Sequence, residues 1–284
     1  MVEPEALALL GPAYLVGKVL GPTADYIGEG VRDWTERSTG NVKAVFGKAG
    51  RKLGDELETP GAVPPRVLKG ILEEGQFAED DLTREYLGGV LASSRTSAAR
   101  DDRAASLVAL VGRLSTYSLR MHYVLYASAR QQLFGTAANL GMQTERRTQA
   151  KMFVAFDALV PALDLTHDEF QNFDGILSHT LHALIREDLL EDDFTFGSAE
   201  ALRRHQRGRA FGSGLVFVPS PLGMELFCHA HGVRDNFMRA YVDSAVMMEV
   251  TTSIELGRGA QRVRDMPKYE PPPPAATVKQ PPGP

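Results

Sequence analysis

The chain has 284 residues, 43% of them hydrophobic and 24% charged, which is the composition of a folded globular protein with room for more than one core. A net charge of −5 and a pI near 5.8 argue against a chain that binds nucleic acid over its whole surface, while local basic patches stay open. The single cysteine, Cys228, excludes an intrachain disulfide and fits a reducing, cytoplasmic setting.

The first stretch, MVEPEALALLGPAYLVGKVLG, begins with acidic residues, and Pro12, Lys18 and Pro22 interrupt its apolar run. It therefore matches neither a signal peptide nor the roughly 20 apolar residues of a spanning helix. Residues 5–31 are expected to form a glycine-punctuated helix pair. Ala13, Gly17 and Gly21, four apart, share one face on which another backbone can approach, in a membrane or in a tight bundle. Between 32 and 53, Val42, Val45, Phe46, Ala49 and Leu53 keep helical spacing, and Lys43, Lys48, Arg51 and Lys52 make the helix basic. Such a helix either exposes a solvated charged face or meets an anionic membrane or partner.

The linker ETPGAVPP, with Pro60, Gly61, Pro64 and Pro65, closes one unit and opens another. Pro65 suits the first turn of a helix, and Leu68, Ile71 and Leu72 give that helix an apolar stripe. Asp80 and Asp81 then stand where a second helix begins and its dipole favours negative charge. Leu82, Tyr86, Leu87, Val90 and Leu91 form its buried face. Gly88-Gly89 costs that helix about 1 kcal/mol per glycine, which close contact with a neighbouring helix would offset. From 103 to 134, Leu107, Leu110, Val111, Leu114, Met121 and Leu125 mark a core helix with a break near Ser115-Thr116.

Beyond residue 153 the pattern becomes helix, strand, loop, strand, helix. Thr166 and Glu169 form a capping box ahead of Phe170, Phe173, Leu177, Leu181 and Leu184. LLEDDFTF and LVFVPS are strand-like, GSAEALRRHQRGRAFGSG is a long loop between them, and PLGMELFCHAHG opens a helix at Pro221 and closes it at Gly232. VMMEVTTSIEL alternates as a strand does, and the proline-rich end reads as a disordered tail.

The expected fold is mainly α, a helical bundle followed by a winged-helix-like unit with a small β-hairpin wing. Its units are residues 1–60, 61–150, 151–235 and 236–266, with the tail at 267–284.

No phosphate loop, dinucleotide fingerprint, GxSxG or HExxH occurs in the sequence, so no catalytic residue, cofactor or metal is assigned. His179 and His182, and separately Cys228, His229 and His231, are close in sequence but lack paired zinc-ligand spacing. Arg203, Arg204, Arg207 and Arg209 in the wing loop could meet phosphates, whereas Glu187, Asp188, Glu191, Asp192 and Asp193 after the preceding helix would repel a duplex. Lys43, Lys48, Arg51 and Lys52 are the candidates for a membrane or partner surface.

Four segments resemble, in order, the Abi-alpha (abortive infection alpha) family. They are residues 31–53 (VRDW to GRKL), VPPRVLKGILEEGQFAEDDLTREYLGGVLASS, ILSHTLHALIREDLLED and VPSPLGMELFCHAHG. In the last, Ser220, Gly223 and Leu226 stand where the family has Thr-x-x-Gly-x-x-Phe. Tyr86 or Leu87 stands where the family's second helix carries a tryptophan. The resemblance spans about residues 20–232. It implies a bacterial or phage-encoded cytosolic protein linked to abortive infection and carries over no catalytic residue. A protein partner is the first expectation. Nucleic acid through the wing, peripheral membrane contact through the N-terminal helices and a homo-oligomer are the others.

Overall fold

The computed structural model describes residues 12–21, 40–136, 140, 148–205, 209, 211–246 and 260–269. Among them the chain is mainly helical with a four-stranded antiparallel sheet. The N-terminal half consists of α1 (Pro12–Leu20), α2 (Gly40–Leu53), α3 (Pro65–Gly75), α4 (Asp81–Ser94), α5 (Ala104–Arg113) and α6 (Thr116–Leu133). The C-terminal half consists of β1 (Met152–Ala155), α7 (Phe156–Leu163), α8 (His167–Gln171), α9 (Phe173–Arg186), β2 (Thr195–Gly197), α10 (Ala199–His205), β3 (Gly214–Phe217), α11 (Pro221–Ala230), α12 (Phe237–Ala240) and β4 (Ala260–Arg262).

Local chemistry sets several helix starts. Asp80 accepts from the Thr83 amide as the N-cap of α4, Ser115 accepts from the Ser118 amide at the break between α5 and α6, and Ser220 accepts from the Gly223 amide before α11. The Thr166–Glu169 capping box forms as expected, but the helix it opens stops after five residues and α9 starts beyond Asn172. Pro65 and Pro221 sit in the first turns of their helices, where no amide is needed.

One apolar core runs from Val19 in α1 to Ala260 in β4, so the units expected from the sequence share it. Gly88 and Gly89 occupy a tight place in it. A Cβ on Gly88 would stand 2.7 Å from the Lys48 Cβ of α2, and one on Gly89 would stand 1.8 Å from the Ala230 carbonyl oxygen of α11. The two glycines let α4 touch α2 on one side and α11 on the other, which is the offset for their helix-propensity cost. At the other end of α1, Gly21 has φ +55°, and a Cβ there would collide with the Gly61 carbonyl. Gly17 meets open space. Gly21, just past the end of α1, is thus the position used against the linker, and Gly17 is not.

The sheet order is β2-β3-β1-β4. β1 pairs with β3 in the register Met152 to Phe217 and with β4 in the register Met152 to Arg262. Alternation along the strands splits the sheet's faces. Met152, Val154, Leu215 and Phe217 enter the main core, while Phe153 and Val216 join Leu202, Phe211 and Met266 in a second, smaller cluster on the other face. That outer face is roofed by α10 and the segment after β4. Other elements differ from expectation. β1, α7 and β4 were not foreseen, and seven residues of the expected loop form α10, with Leu202 drawn fully into the outer cluster. Strand-like VMMEVTTSIEL falls on residues 246–256 and, apart from Val246, lies outside the described residues, as do residues 270–284 of the tail.

Candidate functional site

Three polar groupings have to be told apart. The first is buried between α2 and α4. The Lys48 Nζ lies 2.7 Å from the Glu85 Oε2, the Lys52 Nζ lies 2.5 Å from the Glu85 Oε1, and Lys48 also reaches Asp81 at 3.0 Å. The side chains of Glu85, Lys48 and Lys52 are 4%, 6% and 8% exposed, so a single carboxylate bridges two nearly dry ammonium groups. Burial lowers the Lys52 pKa, and Glu85 opposes that shift. The basic face expected on this helix is therefore divided. Lys43 is half-buried and Arg51 exposed, while Lys48 and Lys52 turn inward and are not available to an anionic surface. Their partner comes from another helix, which spacing within α2 cannot show. Among the described residues no helix is long and apolar enough to cross a membrane.

The second grouping ties α4, α6 and α11 together. The Tyr86 hydroxyl donates to the His122 Nδ1 at 2.7 Å, and the His122 Nε2–H donates to the Gly223 carbonyl at 3.1 Å. The two partners fix the neutral tautomer. Burial, the largest cause, holds the His122 pKa down at about 3. Beside it, stacked at 4.4 Å, the Tyr126 hydroxyl donates to the Leu189 carbonyl at 2.6 Å and accepts from the Ser220 amide at 2.9 Å. A Cβ on Gly223 would stand 1.9 Å from that hydroxyl. The Ser220-x-x-Gly223 pattern thus does two things: the serine caps α11, and the glycine admits Tyr126.

Near the end of α4, Ser93 Oγ lies 2.7 Å from the His229 Nδ1 and 3.1 Å from the Val90 carbonyl. Glu225, Asp101, Arg103 and Arg234 line the same cleft. A serine beside a histidine suggests nucleophile and base, but the Ser93 hydroxyl also meets the Val90 carbonyl of its own helix. Burial lowers the His229 pKa to about 4, so it is a poor base near neutrality. The pair acts as a tie between α4 and α11. Sequence reading did not join these residues, because Ser93 and His229 carry no motif in common. Cys228 is buried, its thiol pushed up to about 12 by desolvation, and the His231 Nδ1–H donates to the Phe227 carbonyl. Cys228, His229 and His231 therefore point to three different partners, and among the described residues no three His, Cys, Asp or Glu side chains stand together as metal ligands would.

The third grouping lies on the surface, on the roof of the sheet. Of the wing arginines, Arg207 lies outside the described residues. Arg203 places its guanidinium 4.8 Å from the centroid of the Tyr269 ring, Arg204 pairs with Glu200 at 2.8 Å one turn away, and the Arg209 Nη1 donates to the Met266 carbonyl at 2.6 Å. Arg209 and Lys268 also face each other in an isolated antiparallel bridge. Arg203 and Arg209 thus stand beside residues 262–269, of which 267–269 were assigned to the tail in the sequence. Arg262, Arg264 and Lys268 were passed over there because the sequence does not show that this segment returns to the wing. The acidic residues that follow α9 are partly engaged: Glu187 pairs with Arg113 at 2.7 Å, and Asp193 pairs with Lys151 at 2.6 Å.

No protein-family model, curated protein or solved structure matches the chain.

Proposed function

We propose that the chain is a non-enzymatic interaction protein of the abortive-infection type, acting in the cytoplasm by binding a phage or host component. The observation that carries this reading is where the resembling segments end up. The described parts of three of the four resembling segments, residues 40–53, 63–94 and 218–232, far apart in sequence, close on one another at Gly88 and Gly89, and their polar groups Glu85, Tyr86, Ser93 and Ser220 are used to hold that junction. Those residues build a scaffold, and action is left to its surface. The order β1, α7, α9, β2, β3 with β3 beside β1 supports a winged-helix-like unit, with α9 in the recognition-helix position and α10 with its following loop as the wing.

The test is inducible expression in a bacterial host challenged with a panel of phages. Reduced plating, or growth arrest of infected cells only, is expected. Unchanged plating and growth for every phage would remove this reading.

A further inference from the structure

The roof of the sheet gathers charge that the sequence keeps in two separate places. Arg203, Arg204 and Arg209 come from the wing, and Arg262, Arg264 and Lys268 come from the strand and segment that return to it. Contacts bring the two together: Arg203 over Tyr269, Arg209 to the Met266 carbonyl, and the Arg209–Lys268 bridge. Met266 anchors the segment in the outer apolar cluster with Leu202 and Phe211. Against these six cations stand two carboxylates in the same residues, Glu200 and Asp265, leaving a local net of +4 on a chain whose total is −5.

The side chains also differ in what holds them. Glu200 takes Arg204, and Asp265 takes Arg262 at 2.5 Å and Arg264 at 3.8 Å. Arg204 and Arg264 keep 72% and 58% of their side-chain surface in solvent, and Lys268 is exposed. Exposed pairs of this kind are worth at most about 1 kcal/mol, so an incoming phosphate can displace the carboxylate. Tyr269, 37% exposed among the cations, adds an aromatic surface. Guanidinium groups with an accessible aromatic ring are the combination that tracks a nucleic-acid backbone and stacks an unpaired base.

The geometry points to a nucleic-acid-binding surface on this roof, made jointly by α10 and residues 262–269, with Arg204, Arg264 and Lys268 meeting phosphates and Tyr269 stacking on a base of a single strand. It goes beyond the abortive-infection reading and does not depend on it, since it stands on the outer face of the sheet and not on the α2–α4–α11 junction.

The test uses the full chain and a fluorescein-labelled mixed-sequence DNA oligonucleotide, single-stranded and annealed, followed by anisotropy across a salt series. Binding that weakens with salt is expected. The variant Arg204→Gln/Arg264→Gln/Lys268→Gln should lose affinity and flatten the log–log salt slope by about 2, given roughly 0.7 per phosphate contact on a single strand. Tyr269→Leu should weaken the single strand more than the duplex. None of these side chains lies in the main core, and unchanged melting temperatures will confirm that the variants fold. Absence of binding at low salt, a salt slope unaltered by the triple substitution, or retention on phosphatidylglycerol vesicles without retention of the oligonucleotide would each overturn the assignment. The phage assay reads the other proposal separately, so either can fail alone.

Discussion

Gly89→Ala adds a single methyl group at the point where α4 crosses α11. A Cβ there would lie 1.8 Å from the Ala230 carbonyl oxygen, 2.2 Å from its carbonyl carbon and 2.7 Å from its Cα. All three are backbone atoms of a helix, so no rotamer change relieves the clash. Ordinary contact needs about 3.5–4.0 Å between carbons, so the helices must separate by more than about 1 Å along a line where both are buried. Overpacking of this kind costs about 1–3 kcal/mol, and lost contact between the helices adds to it. The gain from replacing a helical glycine by alanine is about 1 kcal/mol. The net expectation is a destabilisation of about 2 kcal/mol, which lowers the urea midpoint by roughly 1 M for a slope of about 2 kcal/mol/M. Gly17→Ala is the control. It is the same substitution inside a helix, but nothing lies within 4 Å of its added Cβ. It should leave stability unchanged or raise it by up to about 1 kcal/mol. If Gly89→Ala matches the wild type or exceeds it, the close approach of α4 and α11 is not what those glycines provide.

Glu85→Gln takes the shared carboxylate from buried Lys52 and leaves Lys48 to Asp81, and it should cost about 3–5 kcal/mol, while Lys48→Met/Glu85→Leu/Lys52→Met should regain most of that loss. A single substitution as mild as a surface change, read by urea unfolding, would contradict the buried bridge. Acid should destabilise the fold through its histidines. His122 and His231 are held at about 3 and His229 at about 4, all by burial first, against about 6.5 in the unfolded chain. Below about pH 6.5 the unfolded chain binds protons that the folded one refuses, so the contribution of these groups is complete above that pH and is lost as the pH falls toward 4 and 3. Each histidine contributes a slope of up to about 1.4 kcal/mol per pH unit in that window. A melting temperature that stays level from pH 8 to pH 5 would show that these imidazoles are not kept neutral.

What the sequence made legible was local. The capping box at Thr166, the break at Ser115 and the prolines that open α3 and α11 each state their purpose within four residues, because the hydrogen bonds they satisfy are that short in range. The Gly88-Gly89 pair announced a cost without naming the helices that offset it. The sheet was half hidden. β1 and β4 are four and three residues long, too short for alternation to stand out, and their pairing joins segments far apart in the chain. Residues 199–205 read as part of a long loop, yet they form a helix whose Leu202 is buried against the sheet.

The candidate sites went the same way. Lys48 and Lys52 look like surface on a helix considered alone and become interior once Glu85 arrives from α4. The wing arginines appear as a single run in the sequence, while in the fold Arg203, Arg204 and Arg209 are one half of a patch whose other half lies beyond residue 260. The residues with the strongest patterns are thus spent on packing. Those that remain for binding are scattered in sequence, because a surface is assembled by topology, and spacing along the chain does not encode it.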